Sequence, residues 1–229
     1  MRGEPPALSR HQAIRLVEGA YLAATTGLIW LALYYLPVGG ALFRLALPLP
    51  LALLQLRRGG RSGVEGLLLS VLLMTALMGP VRGPLLLFPY GILALWLGWC
   101  WGRGFSWWLS WSVGVVLGTL GFLVRVLVLS LLVGENLWVV ITRAGAGMLE
   151  RVITLLHLPI SADLASVQLM ALALVVLQEL IYVLSLHALA FWIFPRLRSS
   201  IPGPPRLLHG LVALCLLYTS PSPRDNLPS

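Results

Sequence analysis

Apolar runs about as long as a bilayer is thick follow one another through this chain, and they leave it few possible folds. A helix crossing a hydrocarbon core of about 30 Å needs about 20 mostly apolar residues, with about 17 as the lower limit. Leu16–Leu36, Val64–Val81, Leu85–Trp101, Ser106–Val133 and a stretch within Leu164–Phe194 meet that demand. Another run, Ala41–Leu56, is shorter and carries Pro48 and Pro50, so a kinked or part-embedded helix is expected there. Hydrocarbon offers no water to a bare backbone, so such segments fold as helices. The expected fold class is all-α: a polytopic membrane bundle of about six spans, with an amphipathic helix outside it.

Composition closes off the soluble alternatives. Hydrophobic residues make up 59% of the chain and charged ones 10%, against roughly 45–50% and about 25% in soluble domains. So few polar side chains cannot cover a soluble core, and the bilayer is the expected partner. The first run follows Arg2, Arg10 and Arg15 as a secretory leader would. Its apolar stretch is too long for a leader, however, and further spans follow at once, so it reads as an anchor. The formal charge of +8 comes from arginine alone, since the chain has no lysine. The arginines are scattered between apolar runs rather than clustered, which argues against nucleic acid as a partner. Cys100 and Cys215 have no paired spacing, so neither a disulfide framework nor a zinc site is expected.

The scatter of arginine carries topology, because translocation disfavours short positive loops. With the amino terminus inside and six alternating spans, the cytoplasmic segments hold Arg2, Arg10, Arg15, Arg57, Arg58, Arg61, Arg103, Arg196, Arg198 and Arg206. The external segments hold Arg44, Arg82, Arg143 and Arg151, so the bias is ten to four. The expectation is a multi-pass protein with a cytoplasmic segment 1–15, a membrane domain 16–194 and a cytoplasmic linker 195–206. Were residues 135–157 themselves a span, the last basic linker would fall outside.

The external segment 135–158 has its own pattern. Asn136, Arg143, Glu150 and His157 recur every seven residues, which puts them on one helical face. Leu137, Val140, Ile141, Ala144 and Met148 make the opposite face apolar. Such a helix suits the outer membrane interface, either as a solvated surface helix or as a lid over a ligand site. His157 has no second ligand at metal-binding spacing beyond Glu150, so no metal and no cofactor are expected.

Two charges lie inside spans. Ser110, Gly114, Gly118, Gly121 and Arg125 step along one face at intervals of three or four. Small residues on a stripe let another helix approach closely, so Arg125 is expected to point into the bundle. Glu179 lies near the middle of the last span, with Gln168 on nearly the same face and Tyr182 one turn later. Counted from the outer ends, Arg125 is roughly 12 Å deep and Glu179 about 20 Å. An Arg125–Glu179 ion pair is therefore expected, either holding the bundle together or flooring an outward-facing pocket. No phosphate-binding glycine loop, HExxH or Gly-x-Ser-x-Gly turn occurs, so no enzyme is expected. Trp96, Trp99, Trp101, Trp107, Trp108 and Trp111 crowd the turn around Arg103 and read as membrane-interface anchors.

The segment RLVEGAYLAAT (Arg15–Thr25), the Pro-broken short second run, the basic Gly-rich turn and the third run ending in Gly-Pro resemble the bacterial family called domain of unknown function 2232. The resemblance spans roughly Arg15–Pro195. It implies a bacterial inner-membrane protein distantly similar to the substrate-binding S components of energy-coupling factor transporters. Those components work with a transmembrane coupling subunit and an ATPase module, and they dock through small residues on the first helix. Ala20 and Ala24 match that pattern, with Gly19 and Ala23 as a second copy; internal packing is the other use for such residues. No ligand-binding motif carries over. The ending CLLYTSPSPRD (Cys215–Asp225) resembles translated sequencing-adapter read-through, which makes 207–214 the start of a truncated seventh helix and 215–229 a non-native tail. The leading expectation is a component that captures an unknown small molecule; a membrane scaffold without a substrate is the alternative.

Overall fold

The computed structural model describes residues 9–156 and 164–205, so His157, the expected seventh helix at 207–214 and the tail 215–229 lie outside the described residues. The described residues form helices and no strand. The helices are α1 (Arg10–Tyr35), α2 (Gly40–Ala46), α3 (Leu49–Arg58), α4 (Gly60–Arg82), α5 (Ile92–Gly102), α6 (Trp107–Val133), α7 (Leu137–Leu156) and α8 (Leu164–Ile193). Six stretches are long and apolar enough to cross a membrane: Gln12–Tyr35, Gly40–Arg58, Gly60–Arg82, Pro84–Gly102, Trp107–Val133 and Ala165–Leu197.

Local sequence explains the breaks. Ser9 and Gln12 form a reciprocal capping box that starts α1 inside the basic segment, ahead of its apolar run. The second span is broken between Ala46 and Leu49, where Pro48 withholds a backbone donor. Gly134, at φ +78°, ends α6 in the left-handed conformation that a side chain resists.

The second span is more central than its sequence suggests. Every residue from Leu47 to Gln55 is buried, and α3 packs against α5, α4 and α1. The spans Gly40–Arg58 and Pro84–Gly102 are among the least apolar of the six by mean hydropathy, yet they are the two most buried. Helices enclosed by protein need no lipid-compatible surface, whereas α6 and α8 on the periphery do.

Two helix pairs set the register. Along α1 and α4, Arg15 meets Ser62, Ala23 meets Ser70 and Gly27 meets Met74, a constant offset that marks parallel packing. Along α6 and α8, Ser110 meets His187, Gly114 meets Val183 and Gly118 meets Glu179. Each step is four residues forward on α6 and four back on α8, so this pair is antiparallel. The glycine stripe thus does what its spacing implies, with one addition: Gly121 receives Pro89 rather than α8, a Cβ there lying 2.6 Å from Pro89 Cβ.

The end of the bundle that carries the Arg57–Gly60 turn is tied by polar contacts. Glu18 pairs with Arg57 at 2.9 Å and with Arg58 at 2.5 Å. Arg57 also donates to Ser199 Oγ at 2.8 Å and to the Leu197 carbonyl. The tryptophans of this end depart from the expected lipid belt. Trp101 and Trp107 are buried and their rings flank His187 at 5.3 and 5.2 Å. Trp96 and Trp111 donate to the carbonyls of Ser110 and Leu180, so they fasten helices to one another. Trp108 is the exposed exception among these. The belt rule presumes a ring facing lipid, and these rings are turned inward.

Candidate functional site

Toward the opposite end, between α1, α2, α6 and α7, lies a cavity of about 450 Å³. Its walls are mostly apolar and aromatic, with Tyr34, Tyr90, Phe122 and Ile141 among them. Two cations break that surface, Arg44 and Arg125. Arg125 Nη2 donates to Tyr34 Oη at 3.3 Å, and its guanidinium stands 5.9 Å from the centroid of Trp30. Arg44 Nε donates to Tyr90 Oη at 2.9 Å. The Tyr182 hydroxyl donates to the Arg44 backbone carbonyl at 2.9 Å, and its ring packs edge-on to Tyr90. Outside the lining, the Arg82 guanidinium stands 5.6 Å from the ring of Tyr34.

The sequence places these groups through three different devices. The glycine stripe on α6 carries Arg125 into the bundle seven residues beyond Gly118. The break at Pro48 separates α2 from the buried α3 and leaves Arg44 half-buried on the cavity wall. Tyr90 is held between Trp30 and Tyr182 by edge contacts to both rings.

The expected Arg125–Glu179 ion pair does not form. In the α6/α8 register Glu179 meets Gly118, about 10 Å along the helix from Arg125. Arg125 turns instead toward α1 and its aromatic side chains. Glu179 is 2% exposed and its Oε2 has no hydrogen-bond partner. The ion pairs among the described residues are Glu18–Arg57, Glu18–Arg58 and Glu65–Arg61, all toward the other end. Arg44, Arg82 and Arg125 therefore have no described carboxylate within ion-pair distance. An uncompensated charge inside a span costs about 2.5–3.5 kcal/mol on insertion scales, so two lining one cavity call for an explanation.

The other expected site residues are dispersed. Tyr182 lines a neighbouring cavity of about 530 Å³, which shares Arg44 and Leu33 with the first. Gln168 is half-buried near the start of α8 and outside the Arg125 cavity. Asn136 caps α7, its Oδ1 accepting from the Val139 amide at 3.2 Å. Arg143 is exposed, and the side chain of Glu150 lies outside the described residues with His157. The part of α7 that meets the cavity is its apolar face, through Leu137 and Ile141. A third cavity, about 260 Å³, separates Ile141, Thr142 and Gly145 of α7 from Phe122 and the start of α8. On α1, Ala23 is fully buried and its carbonyl accepts from Ser70 Oγ, so it serves internal packing. Ala20 is exposed, Ala24 is half-exposed, and a Cβ on Gly19 would meet nothing within 4 Å.

Arg44 is the residue that sequence reasoning missed, since it was counted among external loop cations. Its signal was present: it sits four residues before Pro48 inside an apolar run, where a loop arginine does not belong. His187, also missed, is fully buried, with Nε2 2.7 Å from Ser110 Oγ and Nδ1 2.8 Å from the Val183 carbonyl. The carbonyl can only accept, so Nδ1 carries the proton and Nε2 accepts from Ser110. Sealed beneath two tryptophans, this pair binds α6 to α8.

Residues 23–209 match the family described as "Predicted membrane protein (DUF2232)". No curated protein and no solved structure matches the chain.

Proposed function

The chain belongs to the DUF2232 family of predicted membrane proteins, and from that membership and its arginine-lined cavity we propose that it is a non-enzymatic component that binds a small molecule. The observation that carries this reading is the cavity of about 450 Å³, apolar in its walls and cationic at Arg44 and Arg125. Pockets for small molecules combine mostly apolar walls with a few placed polar groups in this way. A scaffold that only held other proteins would have no use for two guanidiniums inside its bundle that pair with no carboxylate among the described residues.

In this reading the arginine bias argues for a cavity on the external side with the amino terminus in the cytoplasm, and the family resemblance implies a bacterial inner membrane. Arg44 no longer counts among the external loop charges, which leaves that bias stronger than ten to four. The role we assign resembles that of energy-coupling factor S components: capture from outside, then release inward through a coupling subunit and an ATPase module. The face of α1 with Gly19, Ala20 and Ala24 is the docking surface for that subunit.

The test is purification from bacterial membranes in mild detergent, with mass spectrometry of whatever accompanies the chain. A bound small molecule together with an ATPase module supports transport. Recovery of neither, with membrane-assembly proteins in their place, overturns it in favour of a scaffold.

A further inference from the structure

The geometry points to an anionic ligand for the Arg44–Arg125 cavity: a carboxylate or phosphate group carried on an apolar or aromatic body. This inference rests on the binding role proposed above and names the class of molecule bound. Arg44 and Arg125 line the same cavity, each giving one N–H to a tyrosine hydroxyl. Among the described residues neither gives its remaining donors to a carboxylate. The tyrosine contacts fix where each guanidinium points without neutralising it. A planar fork held in this way matches the paired oxygens of a carboxylate or phosphate, and low dielectric strengthens the contact. Arg82, over the Tyr34 ring and outside the lining, adds a further positive charge near the cavity.

The rest of the wall selects the body of the ligand. Phe122, Leu129, Ile141 and the Tyr90 ring offer apolar and aromatic surface. A small hydrated ion would leave that surface bare, whereas an amphipathic anion covers it while its charged end meets the arginines. The one described carboxylate near this end inside the bundle, Glu179, lies against Gly118, outside the lining and in ion-pair contact with neither arginine. Two sources supply such chemistry: a soluble organic anion from outside, or the head group of an anionic lipid entering from the side.

The chain in phosphatidylcholine nanodiscs is titrated with 2-naphthoate and, separately, with 2-naphthamide, which has the same body without the charge. A parallel arm uses native mass spectrometry to count phosphatidylglycerol retained from mixed nanodiscs. The variants are Arg44→Gln/Arg125→Gln, which removes both charges, and Arg44→Lys/Arg125→Lys, which keeps charge and loses the fork. Naphthoate binding that falls about ten-fold or more in the Gln variant and less in the Lys variant supports a soluble anion. Retention of phosphatidylglycerol by the native chain and its loss from the Gln variant supports the lipid source. Equal binding of naphthamide and naphthoate overturns the anion class while leaving a ligand pocket in place. Absence of any arginine-dependent binding by naphthoate and by phosphatidylglycerol overturns the inference, and if naphthamide is also not bound, the pocket reading falls with it. Should the Gln variant not fold, the contrast between naphthoate and naphthamide on the native chain decides alone.

Discussion

The two ends of this bundle use arginine in opposite ways. At the Arg57 end, Glu18 bridges Arg57 and Arg58, and Arg57 reaches on to Ser199 and the Leu197 carbonyl. Glu18, Arg57 and Arg58 answer one another's charge there. Toward the Gly134 end, Arg44, Arg82 and Arg125 rest on tyrosine hydroxyls and aromatic rings, with no described carboxylate in ion-pair contact, and Arg44 and Arg125 line a cavity. Arginine at the first end ties segments distant in sequence; at the second it is held in place but left chemically unspent. On the reading proposed above, a guanidinium held in place without a carboxylate partner is a group prepared for a ligand. The distinction separates stability from function within one protein, and substitutions can test it directly.

The largest effect is expected where the packed interior leaves no room at all. A Cβ on Gly98 would lie 2.5 Å from the Ala52 carbonyl oxygen and 2.7 Å from Gln55 Cβ, so Gly98→Ala must push α5 away from α3. Overpacking of this kind costs about 1–3 kcal/mol, and a clash with backbone sits at the upper end. Detergent-titration unfolding measures it; a loss below about 0.5 kcal/mol would show that the α3–α5 core is looser than described.

Arg57→Leu is next. It removes one of the two partners of Glu18 on α1 and two contacts to the segment after α8. The side chain is 31% exposed, so solvent screening discounts the ion pair, and a loss of about 1–2 kcal/mol is expected in the same assay. Arg125→Leu should behave differently, staying within about 0.5 kcal/mol of the native chain or exceeding it, because no ion pair is lost and an intramembrane charge is removed. Equal destabilisation by the two substitutions would dissolve the contrast between the two ends.

How much of this was legible in the sequence depends on which solvent did the selecting. Lipid imposes length and apolarity on each span, so six spans follow from six runs. Close helix approach imposes small residues at intervals of three or four, so Ser110, Gly114 and Gly118 announce a packed face. Protein surroundings impose no such rule. Ala41–Leu56 reads as a marginal helix because it is short and Pro-broken, and it is central because other helices cover it. Arg44 was hidden by the same misreading. The failed Arg125–Glu179 pair has a different cause: depth along one helix is readable, whereas the register between two helices depends on which side chains interlock. Gly118 accepts Glu179, and that single fit puts the two charges out of reach.

The smallest effect tests the outside of the bundle. Gly19 lies within α1, its Cβ direction meeting nothing within 4 Å, beside exposed Ala20. Alanine at such a position favours the helix by roughly 0.5–1 kcal/mol, since glycine loses more backbone freedom on folding. For the isolated chain, Gly19→Ala is therefore expected to be neutral or slightly stabilising, opposite in sign to Gly98→Ala. Two glycines in two helices would then differ only in what stands against them. The same substitution is expected to weaken recovery of a coupling subunit, because a partner helix that docks over Gly19 and Ala20 would meet the added methyl group. Stabilisation of the chain with undiminished assembly would assign this face to lipid and remove it from the docking surface.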